Sequence, residues 1–128
     1  MADTDEDIYS GFTLSSCILG VSAILSTITH AKLHIGAAFD GTLHPSAFTT
    51  RVAATYGSPD ANGLYDLTAP FSFSSIVTIE DTWGVSFWTA STGGTCRMVR
   101  RFSDMVHVYT GDTLTVVSAP VYSKPVDL

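Results

Sequence analysis

The sequence predicts an all-β domain led by one helix, and three observations carry that expectation. The chain is apolar and poor in charge, with 45% hydrophobic and 14% charged residues, which argues against intrinsic disorder. Ser, Thr, Val and aromatic residues alternate with closely spaced Gly, Pro and Asp, the composition of short strands joined by tight turns. Finally, Trp83 to Val99 reads as a hairpin, with two β-prone runs flanking Ser91-Thr92-Gly93-Gly94-Thr95. At 128 residues the chain is long enough to bury a core as a single domain without disulfides or metals.

The hairpin is the expected packing centre. Alternation sends Val85, Phe87 and Thr89 to one face and Ser86, Trp88 and Ala90 to the other. Gly93 and Gly94 supply the positive φ that a tight reversal needs. Trp83, Phe87 and Trp88, with Phe71 and Phe73, are expected as structural anchors because large aromatics dominate buried area.

In chain order, residues 1–12 form an acidic arm carrying Asp3, Asp5, Glu6 and Asp7, and residues 13–128 form the domain. The arm lacks the positive charge of a secretory signal. Residues Ile8 to Ala31 carry no charge with His neutral, but Ser and Thr interrupt the apolar residues, so a membrane is not an expected partner. Leu14, Ile18, Val21, Leu25 and Ile28 recur at helical spacing, predicting a helix from about Thr13 to Thr29 packed on a sheet.

Lys32 to Gly36 reads as a short strand and Ala37 to Ser46 as a loop. Phe48 to Tyr56 is β-prone, and Gly57 to Gly63 is dense in turn formers. Leu64 to Ala69 reads as irregular or a short strand, Pro70 to Ile79 as a strand, and Glu80-Asp81 as a turn into the hairpin. Cys96 to Arg101 returns from the hairpin, Met105 to Tyr109 is another short strand, and Gly111-Asp112 turns into Thr113 to Val117. Pro120 and Pro125 limit the C-terminal tail to an edge strand.

Little in the sequence points to chemistry. His30, His34, His44 and His107 show no metal-ligand spacing, and no cofactor or metal is expected. Glu80 and Asp81 are adjacent and face opposite ways on a strand, a poor start for a carboxylate pair. No nucleophile elbow occurs, and the 91–95 loop lacks the Lys of a phosphate loop. An enzyme is therefore not expected. Cys17 and Cys96 are expected as unbridged buried thiols. Six Lys and Arg against twelve Asp and Glu give a net charge of −6, and only Arg97, Arg100 and Arg101 cluster, so nucleic acid is not an expected partner either. That arginine cluster and the acidic arm are complementary, which suits a contact between copies or with a partner protein.

The order of motifs resembles a diffuse family of small virion proteins of tailed bacteriophages. The likeness runs through Leu33-His34-Ile35-Gly36, Pro45, Thr50-Arg51-Val52, Phe71 to Phe73 and Trp83-Gly84-Val85. It continues through Ala90-Ser91-Thr92-Gly93-Gly94 and Gly111-Asp112-Thr113-Leu114-Thr115-Val116, covering most of Lys32 to Val117. The long Ser/Thr-rich helix and the Arg100-Arg101 pair depart from the pattern. The resemblance implies a non-enzymatic β-sandwich, here expected as a jelly-roll-like antiparallel one. It places that sandwich in a phage particle, on the head surface or in the tail, and the function expected here is capsid decoration by a homotrimer that clamps neighbouring major capsid protein subunits on the head. A minor tail or tail-fibre protein is the nearer alternative. A carbohydrate-binding module stacking sugars on Trp83, Trp88 or Tyr56 is the alternative of another class.

Overall fold

The computed structural model describes residues 7–8 and 21–122. The strands are β1 (Asp7–Ile8), β2 (His30–His34), β3 (Val52–Ala53), β4 (Leu64–Tyr65), β5 (Phe71–Phe73), β6 (Glu80–Trp88), β7 (Cys96–Val108), β8 (Leu114–Val116) and β9 (Val121–Tyr122). Five of them form one antiparallel sheet in the order β1-β7-β6-β2-β3, while β4 pairs with β9 and β5 with β8 as separate ribbons. The protein is all-β with one short helical stretch, residues 21–25, among the described residues. A jelly-roll path is not established: among the described residues the strands outside the large sheet form two ribbons, not a second four-stranded sheet.

The β6–β7 hairpin is the centre of the large sheet, and its turn places Gly93 at φ +62 and Gly94 at φ +70. The ladder is irregular in two places. Arg97 is an extra residue between the pairs Phe87↔Met98 and Trp88↔Cys96, and residues 102–105 bulge between Thr82↔Val106 and Gly84↔Arg101. Glycine at position 84 permits this second shift. A Cβ there would overlap the Arg100 carbonyl oxygen and lie 2.6 Å from the Arg101 Cα.

The inner face of the sheet packs on the ribbons. Ala31, Leu33, Val85, Phe87 and Met98 meet Phe71, Phe73, Tyr65 and Val121 in one core. Five aromatic rings stitch the layers edge to face in the sequence Phe48, Phe73, Phe71, Phe87, Tyr56, with centroids 5.5–6.0 Å apart. The Tyr56 hydroxyl donates to the Ala119 carbonyl (2.7 Å), so the ring keeps its polar atom satisfied while buried. Val21, Leu25 and Ile28 enter the same core, as the helical stripe requires.

Several elements differ from the sequence expectation. Helix is described only for residues 21–25; residues 13–20 of the expected helix lie outside the described residues, and at Thr29 the backbone amide already donates to the Trp88 carbonyl (2.9 Å). Glu80 and Asp81 open β6 instead of forming a turn, because each pairs across the ladder with Val108 and His107. The expected strands at 96–101 and 105–109 are one strand, kept continuous through the bulge. The 70–79 strand stops at Phe73: Ser75 adopts φ +62, and Ile76 then exchanges backbone hydrogen bonds with Asp112 and Gly111. In the 48–56 stretch only Val52–Ala53 forms a strand, with an isolated bridge from Tyr56 to Leu67.

Candidate docking surface

The outer face of the large sheet is covered by the loop between β2 and β3. Its anchor is His34, which is fully buried and stands beside Ser86 and Trp88 on that face. The partners fix the imidazole's protons. The Leu43 carbonyl, 2.8 Å from Nδ1, can only accept, so Nδ1 carries hydrogen. Nε2 therefore accepts from the Ser86 hydroxyl (2.7 Å), whose oxygen in turn accepts from the Trp88 indole N–H (2.7 Å). Burial, the largest influence, lowers the His34 pKa from its ordinary value; the hydrogen bond to the Leu43 carbonyl opposes it, and the nearby Lys32 charge adds a smaller lowering. A hydroxyl, an imidazole and an oxygen acceptor in line have the spacing of a nucleophile relay. Here Ser86 is fully buried and its oxygen is already occupied, so the relay is a strut that ties the loop to the sheet.

Other contacts complete the hold on the loop. Ile35 N–H donates to the His44 carbonyl (2.9 Å) and Ser46 N–H to the Leu33 carbonyl (3.1 Å). The Ser46 hydroxyl donates to the Glu80 carboxylate and its oxygen accepts from Phe48 N–H (2.9 Å). Asp40 Oδ1 accepts from the Thr42 hydroxyl and amide, at 2.6 and 2.9 Å, and these bonds lower its pKa. Ala38 is driven inward against Trp88, Cys96 and Val99.

What the loop displays is apolar. Ile35, Phe39 and Leu43 remain 39%, 60% and 45% exposed. Phe39 and His44 hold φ of +40 and +49, a region that bulky side chains rarely enter. Phe39, exposed on a strained and well-anchored backbone, is outside both hydrophobic cores among the described residues. A second display surrounds the start of β6: Val77, Ile79, Met105 and Tyr109 are each more than half exposed. Beside it, an open groove of about 840 Å³ runs between β7 and β8, with Phe102, Val106, Leu114 and Val116 on its walls and Arg100 and His107 among its polar residues.

The residues singled out from sequence fall in three groups. Asp3, Asp5 and Glu6 lie outside the described residues, and Asp7 stands in β1 in register with Arg100 of the same chain. Arg100 is committed internally, its Nη1 donating to the Pro120 carbonyl at 2.6 Å. Arg97 and Arg101 are half-buried, and the Nε of each is buried with no acceptor among the described residues. Phe71, Phe73, Phe87 and Trp88 are buried, whereas Trp83 is half-buried at the margin of the outer cluster.

A sugar-stacking platform on Tyr56 and Trp88 does not fit this structure. Both rings are buried, and Arg51 lies over Trp88 at 3.8 Å from the ring centroid. Among the described residues no three His, Cys, Asp or Glu side chains gather in a metal-binding group, and no helix is long and apolar enough to cross a membrane. Cys96 is buried, with Sγ 3.7 Å from the Met98 carbonyl; Cys17 lies outside the described residues. The exposed residues of the 35–43 loop were not marked by the sequence. Their only signal was apolar residues inside a Gly- and Pro-containing loop.

The fold and the displayed surface thus define an all-β protein that exposes apolar residues on a loop hydrogen-bonded to its large sheet. Comparison with protein-family models found no match, and comparison with curated proteins found no significant similarity.

Proposed function

We propose that this protein is a non-enzymatic structural component of a tailed-phage particle, acting as a capsid decoration protein that clamps neighbouring shell subunits. The observation that carries the reading is the display of Ile35, Phe39 and Leu43 on a loop locked to the sheet by His34, alongside a separate apolar display at the start of β6. A clamp needs two contact surfaces on one stiff body, and this arrangement supplies them. Large exposed apolar patches on a soluble β domain mark interaction sites. Burying both displays suits the scale of about 1,200–2,000 Å² that stable associations need. The motif order described above supports the phage setting, and self-association as a trimer around a local three-fold axis would occupy one display while leaving the other for the shell.

The test is to measure the full chain's oligomeric state by sedimentation, then its co-sedimentation with empty phage heads. The reading expects an oligomer that pellets with heads in a saturable ratio. A stable monomer with no affinity for heads would refute it.

A further inference from the structure

A second surface has a different chemistry. A cleft of about 440 Å³ lies between the β6–β7 turn and the segment leading into β3, lined by Lys32, Thr49, Thr50, Arg51, the 91–92 hydroxyls and Gly93. Of the six Lys and Arg in a chain of net charge −6, two line this one cleft, and no carboxylate does. Strand geometry explains the convergence. Lys32 and His34 share the outer face of β2, and residue 51 precedes Val52, which pairs with Ala31, so Arg51 falls beside Lys32.

Arg51 is held in place. Its Nη1 donates to the Ala90 carbonyl (2.9 Å) and the Gly93 carbonyl (2.7 Å), and its guanidinium lies on Trp88. These contacts leave its other N–H groups without a protein acceptor among the described residues. Lys32 makes no ion pair or hydrogen bond among the described residues, and neither do the hydroxyls of Thr49, Thr50, Ser91 and Thr92. One cation is therefore pre-positioned by the turn it braces, a second is unengaged, and four hydroxyl donors stand around them.

We propose that this cleft binds a tetrahedral oxyanion, a phosphate or sulfate group, between Lys32 and Arg51. Two cations match the charge of about −1.5 to −2 that a phosphate group carries at neutral pH, and the hydroxyls supply donors for its remaining oxygens. The absence of a lining carboxylate matters most. No carboxylate in the cleft lining competes for the two cations.

The test uses the full chain and amide chemical shifts, titrated with inorganic phosphate, sulfate and, at matched ionic strength, chloride. Phosphate and sulfate should give saturable shifts centred on Lys32, Thr50 and residues 91–94, and chloride should not. Lys32→Gln should weaken binding about tenfold, as loss of a charged hydrogen-bond partner does, with an unchanged melting temperature, and Lys32→Arg should restore it. A sulfated disaccharide binding more tightly than inorganic sulfate would place the anion on a glycan; equal affinity would point to a free oxyanion, and either supports the site. Non-saturating or scattered shifts, or equal binding by Lys32→Gln, would overturn it.

Discussion

Ser86→Ala tests the strut beneath the loop. The substitution removes one oxygen and strands two buried groups, His34 Nε2, which accepted from it, and the Trp88 N–H, which donated to it. Switching the imidazole tautomer does not help, because Nδ1 would then present a lone pair to the Leu43 carbonyl. The space vacated by a hydroxyl is too small for a water to replace it. Each stranded group costs about 1–3 kcal/mol, so the total is roughly 2–4 kcal/mol after some relaxation. Unfolding entropy near 2.1 cal/mol/K per residue gives about 0.27 kcal/mol/K for this chain, and the loss becomes roughly 7–15 °C in melting temperature. The control is Ser72→Ala, whose hydroxyl makes only an exposed bond with Thr115 (2.8 Å) and should change stability by under about 0.5 kcal/mol. Urea titration and calorimetry of both variants provide the measurement. If Ser86→Ala loses no more than Ser72→Ala, the network contributes nothing and His34 does not anchor the loop.

Three further outcomes are expected. Because the folded His34 pKa lies below its ordinary value, the unfolded chain takes up the proton first; the network's contribution is full above about pH 6.5 and declines as pH falls below it. Melting curves between pH 8 and 5 should show that slope, and His34→Gln should flatten it. Phe87→Ala removes the ring that links Phe71 to Tyr56 and should cost about 3–5 kcal/mol in a denaturant titration. Phe39→Asn should leave the melting temperature unchanged or raise it, since Asn tolerates positive φ better, while reducing self-association or binding to heads; an unfolded variant or undiminished association would contradict the display role.

The parts of the fold that were legible in the sequence are those set by near neighbours. Gly93-Gly94 marked the hairpin turn, Gly111-Asp112 marked a turn before β8, and the spacing of Val21, Leu25 and Ile28 marked the buried stripe. What escaped depends on distant partners. Nothing local in Glu80-Asp81 reveals that Val108 and His107 wait across the ladder, and the four residues 102–105 of β7 opposite the single residue Trp83 of β6 read locally as a break between strands. Lys32 and Arg51 are nineteen residues apart and meet only because β2 pairs with β3. Phe39 looked like an ordinary loop residue because its strain exists only once Ala38 is buried and Leu43 is held by His34.

The pairing of β4 with β9 has a consequence for how the chain matures. Leu64 finds Tyr122, and Tyr56 bonds Ala119, across roughly half the length of the chain. Such distant contacts raise the entropic barrier to folding and slow it. On a translating ribosome the large sheet can assemble once β7 has emerged, but the ribbon that seals Tyr56 and Tyr65 waits for residues 119–122. Until then Ala119 and Val121 are missing from the core they share with Tyr56 and Tyr65. Completion of the domain is thus a timing event, tied to synthesis of its last described strand.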